Sequence, residues 1–136
     1  MVISSKGEYA LRVMADLAIN HDGRFIPLKE IVQKEELSQK YLESIMRMLS
    51  KANLIEAASG HGGGYRLKKA PEKYTLWEIL ELTEGGLAPV ACMKNSTITC
   101  DRSKQCYTLP IWQGLAELIQ EYFQGKTLAD IARNVE

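Results

Sequence analysis

The spacing of apolar residues along the chain predicts a protein built mainly from helices. Between Ala10 and Ala18, apolar positions recur every three or four residues, which is the period of a helix with one buried face. Ser5 and Glu8 have the S-x-x-E spacing of a capping box and predict the start of this helix. Its end is predicted at the turn-forming residues 20–23.

Two further helices are predicted directly after this turn. Pro27 is suited to the first turn of a short second helix. Ser38 predicts the N-cap of a third helix that runs to about residue 51. Their apolar faces are Leu28, Ile31 and Val32, and then Leu42, Ile45, Met46 and Leu49.

The next segment changes from helical to strand-like character. Residues 54–57 and 65–67 are short and partly β-prone, and they flank the sequence SGHGGG at 59–64. This pattern predicts a β-hairpin. Four glycines near its tip permit positive φ angles and leave no bulky side chain, so the backbone can approach another molecule closely.

The second half contains two more predicted helices, a loop and a short terminal helix. Thr75 and Glu78 form a second capping-box signal, and that helix ends at the glycines 85–86. Residues 87–108 have no period and form a loop. Pro110 starts a strongly amphipathic helix that ends at Gly125, and Thr127 caps a final helix to about Val135. Four aromatic residues are assigned to core or dimer packing: Trp77, Trp112, Tyr122 and Phe123.

The composition is that of an ordinary soluble domain. A length of 136 residues fits one domain, or a small domain with an appended dimerisation element. Hydrophobic residues make up 46% and charged residues 25% of the chain, which argues against disordered, fibrous and disulfide-dense proteins. The N-terminus lacks the apolar core of a signal peptide. We therefore expect a cytoplasmic protein with no membrane partner.

The charges are unevenly distributed although the net charge is zero. Residues 1–75 contain 12 basic and 9 acidic residues, a net charge of +3, and residues 76–136 contain 5 and 8, a net charge of −3. A basic half joined to an acidic half is expected when only one of them meets phosphates.

The order of helices and hairpin predicts a winged helix-turn-helix that binds double-stranded DNA. The third helix fits the major groove, and the wing can contact the neighbouring backbone or minor groove. Arg66 and the pair Lys68-Lys69 add positive charge behind the wing. Solvated polar residues on a helix are the plain alternative, but they do not require a glycine-rich hairpin directly afterwards. The candidate DNA-binding residues are Ser38, Gln39, Lys40, Tyr41, Ser44, Arg47, His61, Gly62, Gly63 and Arg66.

Three cysteines, Cys92, Cys100 and Cys106, are the second chemical signal. Their odd number argues against a closed disulfide set, and they lack the close C-x₂₋₄-C pairs of structural zinc. They are either three separate reduced thiols or most of the ligands of an iron–sulfur cluster. A fourth ligand from nearby residues or from elsewhere in a dimer has four candidates: Asp101, Glu8, His21 and His61.

Four segments and the three-cysteine loop resemble the Rrf2 family of bacterial transcription regulators, which includes IscR-like and NsrR-like members. The segments are residues 5–10 (SKGEYA), 37–43 (LSQKYLE), 60–67 (GHGGGYRL) and 109–112 (LPIW). The resemblance covers nearly the whole chain. It implies a homodimer paired through residues 110–124, which reads a pseudo-palindromic operator and takes no small-molecule substrate.

The resemblance also implies that Cys92, Cys100 and Cys106 ligate a cluster, with [2Fe–2S] favoured over [4Fe–4S]. IscR-like members use a histidine three positions after the last cysteine, where this chain has Leu109. Other members use a carboxylate from the partner's N-terminal helix, and Glu8 stands at that position. As part of the predicted capping box, Glu8 has a competing structural role.

We interpret the chain as a dimeric transcription regulator, a repressor in type, whose DNA binding is controlled by this cluster. The interpretation divides it into a DNA-binding domain (1–75), a linker helix with the sensor loop (76–108), and the dimerisation and C-terminal helices (109–136). The alternative is a cluster-free repressor controlled by a protein partner or another signal. An enzyme is disfavoured because the sequence contains no nucleotide motif, paired catalytic carboxylates or Cys–His–Asp arrangement.

Overall fold

The computed structural model describes residues 3–89 and 107–134, which form six α-helices and a two-stranded hairpin. The elements in chain order are α1 (Ser5–Ile19), α2 (Leu28–Glu35), α3 (Gln39–Lys51), β1 (Ile55–Ala58), β2 (Gly64–Leu67), α4 (Leu76–Glu84), α5 (Leu109–Gln124) and α6 (Leu128–Ala132). A short 3-10 helix, Pro71–Lys73, precedes α4. The predicted mainly helical fold is confirmed.

The start of α1 differs from the prediction by one residue. Its N-cap is Ser4, whose hydroxyl oxygen accepts a hydrogen bond from the Gly7 amide at 3.1 Å. Ser4 is fixed from the far side of the fold, because its amide and hydroxyl both donate to the Glu84 carboxylate at 2.6 Å. The predicted capping box of Ser5 and Glu8 is therefore wrong, and the Glu8 side chain is exposed.

The helix-turn-helix forms as predicted. Helix α2 ends at Glu35, its C-cap Glu36 adopts the left-handed conformation with φ = 54°, and Leu37 leads to Ser38. The Ser38 hydroxyl accepts a hydrogen bond from the Tyr41 amide at 3.1 Å and so caps α3. A three-residue turn between two helices is typical of this motif.

The hairpin is also confirmed, with the first strand shifted by one residue and the second beginning one residue earlier than predicted. Strands β1 and β2 are antiparallel, with Ile55 opposite Leu67 and Ala58 opposite Gly64. Ile26 extends the pairing through a bridge to Tyr65, in which each amide donates to the other residue's carbonyl at 2.7 and 2.9 Å. The wing is thereby tied to the segment that leads into α2.

Helix α1 lies at the centre of the core, where it packs against α2, α3, α4, α6 and β2. The predicted apolar stripe of α3 is fully buried here. Leu128 of α6 belongs to the same core cluster, and Thr127 forms a bridge with Thr75 before α4. The C-terminal helix thus packs back against the part of the chain that contains the helix-turn-helix.

Helix α5 has an apolar face that is largely uncovered. It begins at Leu109, which is buried, with Pro110 in its first turn, and ends before Gly125 as predicted. Four apolar side chains along it are exposed by 40–67%: Ile111, Leu115, Leu118 and Tyr122. Among the described residues, none of the helices is long and apolar enough to span a bilayer.

Candidate nucleic-acid interface

The outer face of α3 presents polar and basic side chains opposite its buried stripe. Gln39, Lys40, Ser44 and Arg47 are exposed, while Leu42, Ile45, Met46 and Leu49 on the other side are buried. Neither Lys40 nor Arg47 forms an ion pair with any other residue that the structure describes. Both cations are therefore available for phosphates or base edges.

Several hydrogen bonds fix the first two turns of this face. The Gln39 side-chain amide donates to Glu43 at 3.1 Å, which leaves its carbonyl oxygen free to accept. The Ser44 hydroxyl donates to the Tyr41 carbonyl at 2.6 Å. Tyr41 is half-buried and meets Tyr9 of α1 edge-to-face, with ring centroids 6.2 Å apart. Because these side chains are held in fixed positions, the surface is suited to fit the shape of a groove.

The wing tip brings backbone to the surface of the molecule. His61 and Gly62 are exposed, and Gly62 has φ = 76°. A Cβ at Gly63 would lie 2.4 Å from the Ala58 carbonyl oxygen, and one at Gly64 would lie 2.2 Å from that of Ile26. The last two glycines are therefore required for close packing of the hairpin itself.

The basic residues behind the wing are held by contacts within the chain. The Arg66 guanidinium pairs with Glu56 at 2.8 Å, donates to the Gly23 carbonyl at 2.7 Å and lies 4.2 Å from the centre of the Phe25 ring. Lys68 donates to the Asn53 side chain at 3.2 Å, and Lys69 lies 3.6 Å from Glu78.

Two residues that anchor the wing, Phe25 and Ile26, were not identified from the sequence. They precede α2, about 40 positions before their partners Arg66 and Tyr65. No local spacing connects residues so far apart along the chain. Their signal is only that two apolar residues occupy the turn between α1 and α2.

Some of the candidate cluster ligands lie among the described residues and others lie outside them. Cys92, Cys100 and Cys106 lie outside the described residues. Glu8 is described, is exposed, and its carboxylate has no side-chain partner within residues 3–89 and 107–134. The capping role that competed with ligation is therefore absent. Within the same ranges, His, Cys, Asp and Glu side chains form no group of three suited to a metal.

Comparison with known proteins gives this interface its context. The sequence model of the Rrf2 family, described as iron-dependent transcriptional regulators, matches residues 3–134. The chain belongs to the Rrf2 family. It is 31% identical over 137 residues to the HTH-type transcriptional regulator IscR of Erwinia tasmaniensis, covering 100% of this chain and 81% of that protein.

Solved structures of Rrf2 regulators have the same fold. CymR, described as the global cysteine regulator of B. subtilis, is 30% identical with a TM-score of 0.82, and the match covers 100% of this chain and 99% of CymR. IscR of T. potens is 29% identical with a TM-score of 0.80, covering 100% and 89%. This Rrf2 protein is a DNA-binding transcriptional regulator and not an enzyme.

Proposed function

We propose that this Rrf2 protein acts as a homodimer that reads a pseudo-palindromic operator with two copies of α3 and two wings. The observation that carries the proposal is the exposed face of α3, where Lys40 and Arg47 form no ion pair with the described residues, on the helix that precedes the glycine wing. A dimer places two such helices in successive major grooves, so an operator with two-fold symmetry matches it.

Within this interface, the residues divide into two roles. Gln39, Ser44 and Arg47 reach base edges, because amide, hydroxyl and guanidinium groups read them by hydrogen bonds. Lys40 binds phosphate. Ser38, which caps α3, and Tyr41, which contacts Tyr9 of α1, fix the position of the first turn of α3.

The wing supplies backbone and positioning contacts. His61, Gly62 and Gly63 approach the DNA backbone at the hairpin tip. Arg66 serves the interface by holding the wing against residues 23–26, since its guanidinium already has three contacts there.

The dimer is formed through α5. Its exposed apolar side chains recur at positions 111, 115, 118 and 122, which is the spacing of one helical face. Covering a large aliphatic side chain is worth about 1.5–3 kcal/mol. A second copy of the same helix would cover this face without a further partner.

The regulatory group is proposed to be an iron–sulfur cluster held by Cys92, Cys100 and Cys106, with Glu8 of the partner subunit as the fourth ligand. The family's description as iron-dependent and the free carboxylate of Glu8 support this assignment. When bound, a cluster supplies a redox-active centre that is sensitive to its ligands. We favour the [2Fe–2S] form.

The chain's own residues connect the loop to the DNA-binding part. Glu84, the last residue of α4, holds Ser4 at the start of α1 through two hydrogen bonds of 2.6 Å. Glu8 lies one helical turn further along α1. A change in the segment after α4 therefore acts on the N-terminal end of the helix at the centre of the core.

The first experiment is an anaerobic purification with a visible spectrum and an iron and sulfide assay, followed by fluorescence anisotropy with duplex DNA at several salt concentrations. Brown protein with iron and acid-labile sulfide in equal amounts, and affinity that falls steeply with salt, is the expected result. Colourless protein that still binds DNA would favour the alternative, an Rrf2 regulator that responds to a protein partner or another signal.

Two variants test the ligands. Replacing all three cysteines with alanine should remove both the colour and any redox response of DNA binding. Glu8→Gln should weaken cluster retention, whereas Glu81→Gln, at another exposed carboxylate, should not. Retained redox-responsive repression in the triple variant would rule out the cluster as the regulatory group.

A further inference from the structure

Four charged side chains meet where α1 packs against α2. Lys34 Nζ lies 2.8 Å from Asp16 Oδ1, and Arg12 Nε lies 2.9 Å from Glu35 Oε2. The cations are about half exposed, but the carboxyl groups are buried, with 8% of the Asp16 side chain and 5% of the Glu35 side chain accessible. Two acidic groups are thus enclosed at one helix interface.

These carboxyl groups have unsatisfied oxygen atoms. Asp16 Oδ2 and Glu35 Oε2 are both buried and accept no hydrogen bond from the described residues, although Arg12 Nε lies close to Glu35 Oε2. Leaving a buried polar atom unpaired is unfavourable, because the atom has lost its hydrogen bonds to water. Two ionised carboxylates offer only acceptors to each other, so a hydrogen bond between them requires that one carries a proton.

The surroundings favour such a proton. Burial raises the pKa of Glu35, Asp16 raises it further as an acceptor for the protonated carboxyl and through its charge, and Arg12 and Lys34 oppose the rise. The other residues lining the adjoining cleft of about 280 Å³ are apolar: Leu11, Ala15, Ile19 and Ile131. Asp130 of α6 pairs with Arg133, the residue directly after this helix.

The carboxyl groups of Asp16 and Glu35 are connected to α3 both along the chain and through packed side chains. Glu35 is the last residue of α2, and only Glu36, Leu37 and Ser38 separate it from α3. Arg12, its ion-pair partner, lies 5.6 Å from the centre of the Tyr9 ring, which contacts Tyr41 of α3. Any loosening of α2 from α1 therefore changes the support of α3 from two sides.

We propose that a proton held by Glu35 and donated to Asp16 fastens α2 to α1, and that DNA affinity falls when this proton is lost. The proton replaces a repulsion between two buried carboxylates by a hydrogen bond. Its loss weakens the contact between the two helices, and the helix-turn-helix loses its fixed position on the core.

The direction of the pH dependence follows from the raised pKa of Glu35. The folded chain keeps this proton at a pH where the unfolded chain, with an ordinary glutamate value near 4.5, has lost it. The stabilisation is complete below that ordinary value and is lost as pH rises through the raised one. Stability and DNA affinity should both decline in this direction.

The test measures thermal unfolding and duplex affinity from about pH 5 to about pH 8. The DNA probe is a duplex selected by the wild-type protein from a randomised pool. Glu35→Gln is the test variant, because its amide can donate permanently to Asp16. Glu36→Gln is the matched control, because Glu36 is the next residue and is exposed. The two histidines are present in every variant, so only differences between variants count.

The wild type and Glu36→Gln should lose about fivefold or more in affinity across this range, at the lower end of typical coupling between linked sites. Glu35→Gln should flatten both the affinity profile and the melting profile. A ¹³C titration of the wild-type Glu35 carboxyl should show a midpoint above the ordinary range.

Three results would overturn the proposal. The first is an ordinary midpoint for Glu35 in the carbon titration. The second is identical melting profiles for Glu35→Gln and the wild type. The third is a flattened melting profile with an unchanged affinity profile, which would separate the pair from DNA binding. A chain that binds no duplex at any pH would contradict the DNA interface, while the titration and melting would still decide on the proton held by Glu35.

Discussion

Arg47 and Arg66 are two arginines of the proposed interface whose charges differ in availability. Arg66 pairs with Glu56, donates to the Gly23 carbonyl and stacks on Phe25. Arg47 is exposed and forms no ion pair with the described residues. Because Arg66 would have to leave its contacts to reach DNA, we expect Arg47 to contribute more to direct recognition.

Replacing Arg47 with glutamine should therefore reduce duplex affinity by about 1–3 kcal/mol without changing the melting temperature. The free energy is lost because one guanidinium no longer contacts a base or phosphate. Fluorescence anisotropy at several salt concentrations measures the effect. Lys73→Gln is the control, since Lys73 is exposed on the 3-10 helix that packs against α6. An equal loss in both variants would show a general charge effect and not recognition by α3.

Glu84 should give a pH dependence opposite in sign to that of Glu35. Partial burial raises its pKa, but hydrogen bonds from the side chain and backbone of Ser4 and from Thr83 outweigh burial and lower it. Its stabilisation is therefore present above the ordinary glutamate value and is lost as pH falls through the lowered one. Melting curves of the wild type should shift down at acidic pH, and Glu84→Gln should show less of this shift than Glu81→Gln.

Individual elements could be predicted where the signal was local. Ser38 and Thr127 cap their helices as their positions indicated, since each hydroxyl meets an amide three residues later. The cap of α1 could not be predicted, because Ser4 is selected over Ser5 by its contact with Glu84, 80 residues away. The same limit hid Phe25 and Ile26, which anchor a wing that comes much later in the chain.

Two glycines of the wing have positive φ, but replacing each of them with alanine should change the stability by different amounts. Gly64→Ala should lower the melting temperature strongly, because its Cβ would meet the Ile26 carbonyl oxygen at 2.2 Å and the φ of 151° is unfavourable for alanine. Gly62→Ala has open space around the new Cβ and should cost only the conformational penalty of about 1–2 kcal/mol. Similar melting temperatures for the two variants would contradict the close packing of the wing on the segment before α2.

At the scale of the whole molecule, the winged helix-turn-helix could be predicted from the sequence, but the packing of the C-terminal helix α6 against α1 could not. The order of helices and glycines indicated the motif, because each part has a local pattern. The packing of α6 on α1 and the pairing of Asp16 with Lys34 join segments with no shared period. An amphipathic α5 was predicted, but only the folded chain shows that Ile111, Leu115, Leu118 and Tyr122 are the apolar side chains that its own core leaves exposed.

This uncovered face leads to the last prediction, that α5 joins two copies of the chain. Leu118→Asp should produce monomers, because a carboxylate would be placed among apolar side chains that the second copy covers. Gln120→Asp is the control, since Gln120 is exposed and two residues further along, on roughly the opposite side of the helix. Sedimentation measures the oligomeric state, and anisotropy measures DNA binding.

Sedimentation and anisotropy together show whether α5 forms the dimer interface and whether DNA binding depends on it. Monomers that retain an intact fold but bind a selected duplex much more weakly would mean that operator affinity depends on joining two α3 helices, as multivalent binding requires. A Leu118→Asp dimer with normal affinity would remove α5 from the interface. Because α5 packs against α4 and α4 holds Ser4 through Glu84, a real α5 interface would also connect each subunit's pairing to the helix at the centre of its DNA-binding core.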